Sequence, residues 1–273
     1  MGSKRQTNLY HCTKSDSLLK ILESKYFRYS YCMEEYYGRI DDRFTNKRIA
    51  YPMVCFADLY TNELKEHMHQ FNADSYIMME KSWADEKQVC PVIYYNQNSL
   101  SNWAFLAMNL YAYDLDLDIA KLIEKNHQVD EKGANLIRRV HQLYKSIEQF
   151  RPFFKKYKGQ YYIKDENRYS NKTTEFFLER EWRSFPAVHN RERIFLWENE
   201  YRNQNILNNA VRELERNNKL EFKWKDIKKI GCQKDKKAVV IKTLMNSFGI
   251  TTKEAKTKIV SVNLNNDKCS DNV

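Results

Sequence analysis

Tyr51-Pro-Met-Val-Cys-Phe56-Ala-Asp58-Leu59 carries apolar residues at both odd and even positions. Successive side chains of a strand point to opposite faces of its sheet. Apolar character on both faces therefore predicts a strand at the centre of a sheet, covered on each side. Before it, Asn8 to Cys12 reads as a short strand and Leu18, Leu19, Ile21 and Leu22 as the stripe of a helix that Ser15, Asp16 or Ser17 can cap. Between the two, the polar connection from Ser30 to Arg48 is dense in tyrosine (Tyr31, Tyr36, Tyr37, with Tyr29 just before it), which predicts a segment folded down as a lid. After it, Leu64 to Phe71 reads as a helix, and Tyr76 to Met79 and Pro91 to Tyr95 as strands. From Leu100 to about Tyr157 the pattern is helical, ending in a stripe of Leu136, Ile137, Val140, Leu143, Tyr144 and Ile147, with Lys132-Gly133 dividing two helices. Strand character returns at Tyr161–Ile163, Trp182–Val188 and Ile227–Cys232, followed by a helix over Lys236–Asn246 and a frayed tail from about 263. This order predicts the α+β class, as one domain over 1–273 with a helical insertion at about 100–157.

The chain has 273 residues, of which 42% are hydrophobic and 14% aromatic, enough for a sizeable core and too many for wholesale disorder. Mean hydropathy is −0.78, and no apolar run reaches the ~18 residues of a spanning helix. The first residues, Met-Gly-Ser-Lys-Arg-Gln-Thr-Asn, lead into no apolar signal region, so a cytoplasmic protein is expected. Six cysteines (12, 32, 55, 90, 232 and 269) form no CxxC pair, which argues against a disulfide framework and structural zinc; Cys55 and Cys232 read as small core residues. Six glycines and four prolines hold neither a Walker loop nor a GxGxxG, so glycine-loop nucleotide chemistry is excluded. Charge is uneven: residues 1–150 have a net of −1 and residues 151–273 a net of +11. The basic part predicts either a polyanionic partner, nucleic acid or an acidic protein, or a solvated lysine-rich surface.

Three places hold unusual chemical density. Leu9-Tyr10-His11-Cys12-Thr13 puts an imidazole at a strand end. The 51–58 strand brings aromatics and Asp58 together. Glu179-Arg180-Glu181-Trp182-Arg183, extended, sets Glu179, Glu181 and Arg183 on one face among Phe176, Phe177, Trp182 and Phe185. Each has a plain alternative: a hydrogen-bonded core histidine, an aromatic core strand, and a salt-bridge ladder between strands.

In this order and spacing the three resemble the signature of the ADP-ribosyltransferase fold. LYHCT with SLLKILES is similar to the start of DarT-type DNA ADP-ribosyltransferases. FRYSYCMEEYYG, YPMVCFADL, PVIYY and LEREWRSFP resemble the bacterial AbiGi family, an abortive-phage-resistance component labelled an antitoxin. The transferase resemblance implies a split mixed or antiparallel sheet with NAD as substrate and no metal. It implies His11 on a ribose hydroxyl, Thr13 near the adenosine with Tyr10 beside the cofactor, and Phe56 or Tyr51 stacked on nicotinamide. It further implies Glu181 on the nicotinamide ribose 2′-OH, where a fixed anion stabilises an oxocarbenium-like transition state, Glu179 orienting the acceptor, and Arg183, Arg28 or Arg43 on the pyrophosphate. Cys12 stands where these families carry an aromatic residue.

Two function classes follow. One is an NAD-consuming effector of phage defence, with the basic region 151–273 holding a nucleic-acid acceptor. The other is an antitoxin or regulatory subunit that binds a cognate toxin and performs no chemistry. A third class, a metal-dependent nuclease, is motivated by the basic surface and by Asp114, Asp116 and Asp118, with His67 and His69 lacking a third ligand; that acidic run reads better as an exposed stretch or a helix start in the insertion.

Overall fold

A computed structural model describes residues 7–36, 47–96, 130–160, 162–163, 168–186 and 195–263, with single positions between 99 and 121. The chain opens with β1 (Asn8–Thr13), α1 (Ser15–Ser24), β2 (Tyr26–Phe27), β3 (Ser30–Tyr36) and the long β4 (Lys47–Leu59). Next come α2 (Leu64–Gln70), β5 (Ser75–Met79), α3 (Lys81–Glu86), β6 (Cys90–Pro91) and β7 (Ile93–Tyr95). The long helix α4 (Glu131–Phe150) precedes β8 (Phe154–Lys156), β9 (Tyr162–Ile163), β10 (Arg168–Tyr169), β11 (Glu181–Ser184) and β12 (Leu196–Trp197). Then follow α5 (Glu198–Arg202), α6 (Gln204–Asn217), β13 (Leu220–Glu221), β14 (Ile227–Cys232), α7 (Lys237–Phe248), α8 (Thr252–Lys258) and β15 (Ile259–Ser261).

A nine-stranded sheet in the order β15-β14-β5-β1-β4-β11-β6 forms the frame, with β3 and β12 also paired to β4. Only β14–β15 is parallel in it, so the class is α+β with a mixed sheet. As its two-sided apolar pattern requires, β4 is central. Its C-terminal part lies between β1 and β11, where Ala57 faces both Tyr10 and Glu181. Its N-terminal part lies between β3 and β12, where Ala50 faces both Met33 and Leu196.

One face of the sheet packs Leu9, Phe56, Ile77, Met79 and Ile230 against Leu18 and Leu22 of α1 and Val240 and Leu244 of α7. Each of those four helix side chains is at most 1% exposed, and such burial contributes about 1.5–3 kcal/mol apiece. Tyr10, Ala57, Tyr76 and Met78 on the other face meet Leu64 and Met68 of α2. Gly249, at φ 66, closes α7 in the left-handed conformation that a helix end favours. No helix among the described residues is long and apolar enough to cross a membrane.

Four expectations are corrected. The segment read as a lid is in its first part β3, a seven-residue ladder on β4 with Tyr31 and Met33 buried; residues 37–46 lie outside the described part. Helix α1 has no side-chain cap: Ser15 instead hydrogen-bonds Asp74 and Ser75. Pro91–Tyr95 divides between two sheets, β6 beside β11 and β7 beside β8. Leu178–Ser184 is not extended throughout. Phe176–Glu179 is a 3₁₀ turn, Arg180 takes a left-handed φ of 43, and the strand begins at Glu181. That conformation costs a non-glycine residue about 1–2 kcal/mol, offset here by Arg180 donating to the Asp58 carbonyl and pairing with Glu63.

Candidate functional site

Where β1 and β11 give way to β3 and β12 along β4, a cavity of about 350 Å³ opens, bordered by Tyr10–Cys12, Ser30–Glu34 and Cys55–Ala57. Lys155, Phe176, Glu179 and Glu181 close one side of it, and Tyr162, Tyr169 and Tyr201 another. Its volume and aromatic walls suit a small-molecule site.

Beneath it lies a buried ionic cluster. Arg183 is 1% exposed and donates through Nε to Glu181 Oε1 at 2.8 Å. Its Nη2 donates to Glu181 Oε2 at 3.1 Å and Glu34 Oε1 at 2.5 Å, and its Nη1 donates to the Pro152 carbonyl. Lys155 Nζ meets Glu181 Oε2 at 2.7 Å and Glu179 Oε2 at 3.2 Å, and lies 4.4 Å from the centre of the Phe176 ring. The Glu181 backbone N–H donates to the Tyr94 hydroxyl at 2.8 Å.

Burial alone would raise the Glu181 pKa, but Arg183 and Lys155 outweigh it and hold the carboxyl well below the usual carboxylate range. Glu179 behaves differently: burial raises its pKa, and Lys155 opposes this only in part. Its second oxygen accepts a long bond from Gln70 at 3.4 Å. Burial would lower the Lys155 pKa, yet Glu179 and Glu181 raise it well above the usual value, so the ammonium stays charged.

His11 serves another environment. Its Nδ1–H donates to the Cys55 carbonyl at 2.9 Å, and the ring packs against Phe27 and Phe56 with centroids 4.9 and 5.5 Å away. Burial lowers its pKa, the Cys55 bond opposing, so the imidazole is neutral. The ladders pair Tyr10 with Ala57 and Ala57 with Glu181, which puts these side chains on one face. His11 stands opposite Ile77, on the other face. Imidazole and carboxylate thus both border the cavity while leaving the sheet in opposite directions.

Of the sequence-derived site residues, Tyr10, His11, Phe56, Glu179 and Glu181 border the cavity and Arg183 lies directly below. Thr13 is paired with Ser75 outside the lining. Tyr51 is fully buried with Phe195 and Phe185 at 5.9 and 6.3 Å. Arg28 is exposed and paired with Glu215 at 2.5 Å. Arg43 lies outside the described residues. Sequence reading missed Lys155, Glu34 and Tyr94, and weighed His67, which borders the cavity, only as a metal ligand. Lys155 and Lys156, counted with the basic region, are in fact inside the protein. Among the described residues no group of three or more His, Cys, Asp or Glu side chains could hold a metal ion.

These groups set a pH response. His67 borders the cavity, and burial, with Lys155 nearby, lowers its pKa to about 4. An unfolded histidine titrates near 6.5, so between pH 6.5 and 4 the unfolded chain binds the proton that folded His67 refuses. Stability should fall as pH drops through that window, by at most about 1.4 kcal/mol per pH unit for each such histidine. Denaturation midpoints from pH 7 to 5 check this: His67→Gln should give a shallower slope than wild type.

Comparison with known proteins gives one family. Residues 25–233 match the family model described as "Putative abortive phage resistance protein AbiGi, antitoxin". No curated protein and no solved structure matches the chain.

Proposed function

The chain belongs to the AbiGi family, and from that premise we propose that it is the antitoxin of an abortive-infection pair, acting by binding a cognate toxin rather than by chemistry. One observation carries the non-catalytic reading. Both oxygens of Glu181 are already taken by Arg183 and Lys155, and the Arg183 guanidinium is spent on Glu181, Glu34 and the Pro152 carbonyl. A glutamate that stabilises a sugar cation must hold its negative charge for the sugar, which two buried cations here already neutralise, and a pyrophosphate clasp must keep its donors for the ligand. Here the same groups knit β11 to β3 and β8. His11, held on Cys55 between two phenylalanine rings, fits the core-histidine alternative.

A second reading, an NAD-consuming transferase or glycohydrolase with an ADP-ribosyltransferase-like fold, is favoured by one specific feature. Four residues that the resemblance assigns to NAD, Tyr10, His11, Phe56 and Glu181, and Glu179, which it assigns to the acceptor, border a single cavity of about 350 Å³. A nucleic-acid acceptor on 151–273 has only net charge in its favour.

Co-expression separates the two. The antitoxin reading expects the chain alone to be harmless and to restore growth when the toxic protein encoded beside it is induced. It also expects that purified chain releases no nicotinamide and that millimolar NAD leaves its melting temperature unchanged. Toxicity of this chain alone, with nicotinamide release abolished in a folded Glu181→Gln variant, would overturn that reading in favour of the transferase.

A further inference from the structure

Five apolar residues of α4 recur at alternating spacings of four and three: Leu136, Val140, Leu143, Ile147 and Phe150. That is the repeat by which one helix seats another, with two lines of side chains making one seam. The fold uses one of the two lines. Val140 and Ile147 are buried, 7% and 5% exposed, whereas Leu136, Leu143 and Phe150 stand 61%, 52% and 45% exposed. The open line runs from Leu136 to Phe150, 14 steps and about 21 Å along the helix axis at 1.5 Å per residue. A solvated helix face places charged or polar residues there, and three large apolar side chains at strict seven-residue intervals do not arise from that pattern.

The rim of this line is basic. Lys132 lies four residues before Leu136, and Arg139 three after Leu136 and four before Leu143, so both flank the seam. Lys132 and Arg139 are exposed, and so is Arg138 on the same helix. Glu131, in the first turn, sits where it complements the helix N-terminus. Residues in the flanking positions of paired helices choose the partner by charge. A basic rim fits an acidic one, and a second copy of this chain offers only the same basic rim.

We propose that the Leu136–Leu143–Phe150 face docks an amphipathic helix with an acidic rim, carried by the cognate toxin. This rests on the antitoxin reading and names the surface through which it would act; the cavity takes no part. The helix lies along α4, its apolar side chains completing the seam that Val140 and Ile147 begin. Its carboxylates face Lys132 and Arg139.

The test uses the full chain and the protein encoded beside it, purified separately and titrated together. Leu136→Glu/Leu143→Glu replaces exposed side chains, so the melting temperature should stay within a degree or two of wild type. It should weaken the complex at least 100-fold and abolish growth rescue. Arg139→Glu should weaken it about tenfold, with the loss greatest at low salt. If wild type binds and the double variant binds equally well, the docking face is refuted while the antitoxin reading stands. If wild type neither binds nor rescues, the antitoxin reading fails and the docking proposal falls with it. If the free chain is a dimer that the double variant makes monomeric, the occupant is a second copy and the proposal is wrong.

Discussion

Arg183→Leu is expected to destabilise the protein by about 3–5 kcal/mol at neutral pH, the cost of removing one member of a buried ionic cluster. The guanidinium is 1% exposed and joins three parts of the chain: Glu181 on its own strand, Glu34 on β3, and the carbonyl of Pro152 just before β8. Without it, three carboxylates, Glu34, Glu179 and Glu181, remain around one ammonium, Lys155, and Glu181 loses the cation that contributes most to keeping it ionised. Leucine supplies apolar volume but leaves those carboxylates without compensation, so the loss comes from desolvated charge and not from a void. The pH dependence identifies the cause. In wild type the Glu181 pKa is depressed, so its contribution is complete above the unfolded carboxylate value of about 4.3 and lost as pH falls below it. In the variant that depression is relieved, and the difference between the two proteins should be steady from pH 7 to about 5 and narrow as pH falls below about 4.3. Arg183→Lys should recover only part of the loss, because a point charge cannot hold both oxygens of Glu181 and reach Glu34 as a planar fork does. Urea midpoints at pH 7 and about pH 3 check all three statements. A loss under 1 kcal/mol, or one independent of pH, would mean that the cluster is not the fastening described here.

Where a segment's own pattern demanded its environment, the sequence was legible. The two-sided apolar run at 51–59 became the C-terminal part of the central strand β4, and Ile227–Cys232 became β14 with unchanged limits. Strand β3 was hidden because its alternation is written in tyrosine, methionine, cysteine and glutamate. Tyr31 and Met33 go inward on one face, while Glu34 on the other is half-buried and paired with Arg183. Helix α6 was passed over although Ile206, Leu207, Ala210, Val211 and Leu214 form a stripe, since asparagine, arginine and glutamate dilute it. At the site, the Glu181–Arg183 pair was legible from strand alternation. Glu179 reaches the cluster by another route, a turn ending in left-handed Arg180, a backbone state that the residue type disfavours and tertiary bonds impose. Lys155 was the hardest to see. In the sequence it is one cation in a run from Arg151 to Lys158, and only the pairing of β8 with β7 turns it inward onto Glu181. Burial of a lysine is a property of its partners, which lie 24 and 26 residues away, and no local pattern encodes it.

Gly231→Ala should cost at least ~3 kcal/mol, at or above the upper end of the range for overpacking a core, although it adds a single methyl group. Gly231 sits in β14 directly opposite Tyr76 of β5, and a Cβ built on it would overlap Cε1, Cδ1 and Cζ of the Tyr76 ring. Tyr76 is 7% exposed and stands edge-on to Tyr10, with centroids 5.4 Å apart, so it cannot swing aside without breaking that pair. The glycine is thus required by the ring lying across its Cα, not by its backbone conformation. A double-mutant cycle isolates the cause. Tyr76→Ala alone should cost about 3–5 kcal/mol as a large-to-small change. In the combined variant the new methyl group has space, so the total should fall short of the sum by more than 1 kcal/mol. Strict additivity would show that the two residues do not collide. Because Tyr10 borders the cavity, the displaced ring should also be felt there. Aromatic side-chain NMR resonances of Tyr10 should shift in Gly231→Ala and return toward their wild-type environment only if the glycine is restored, since Tyr76→Ala removes the ring that holds Tyr10 in place.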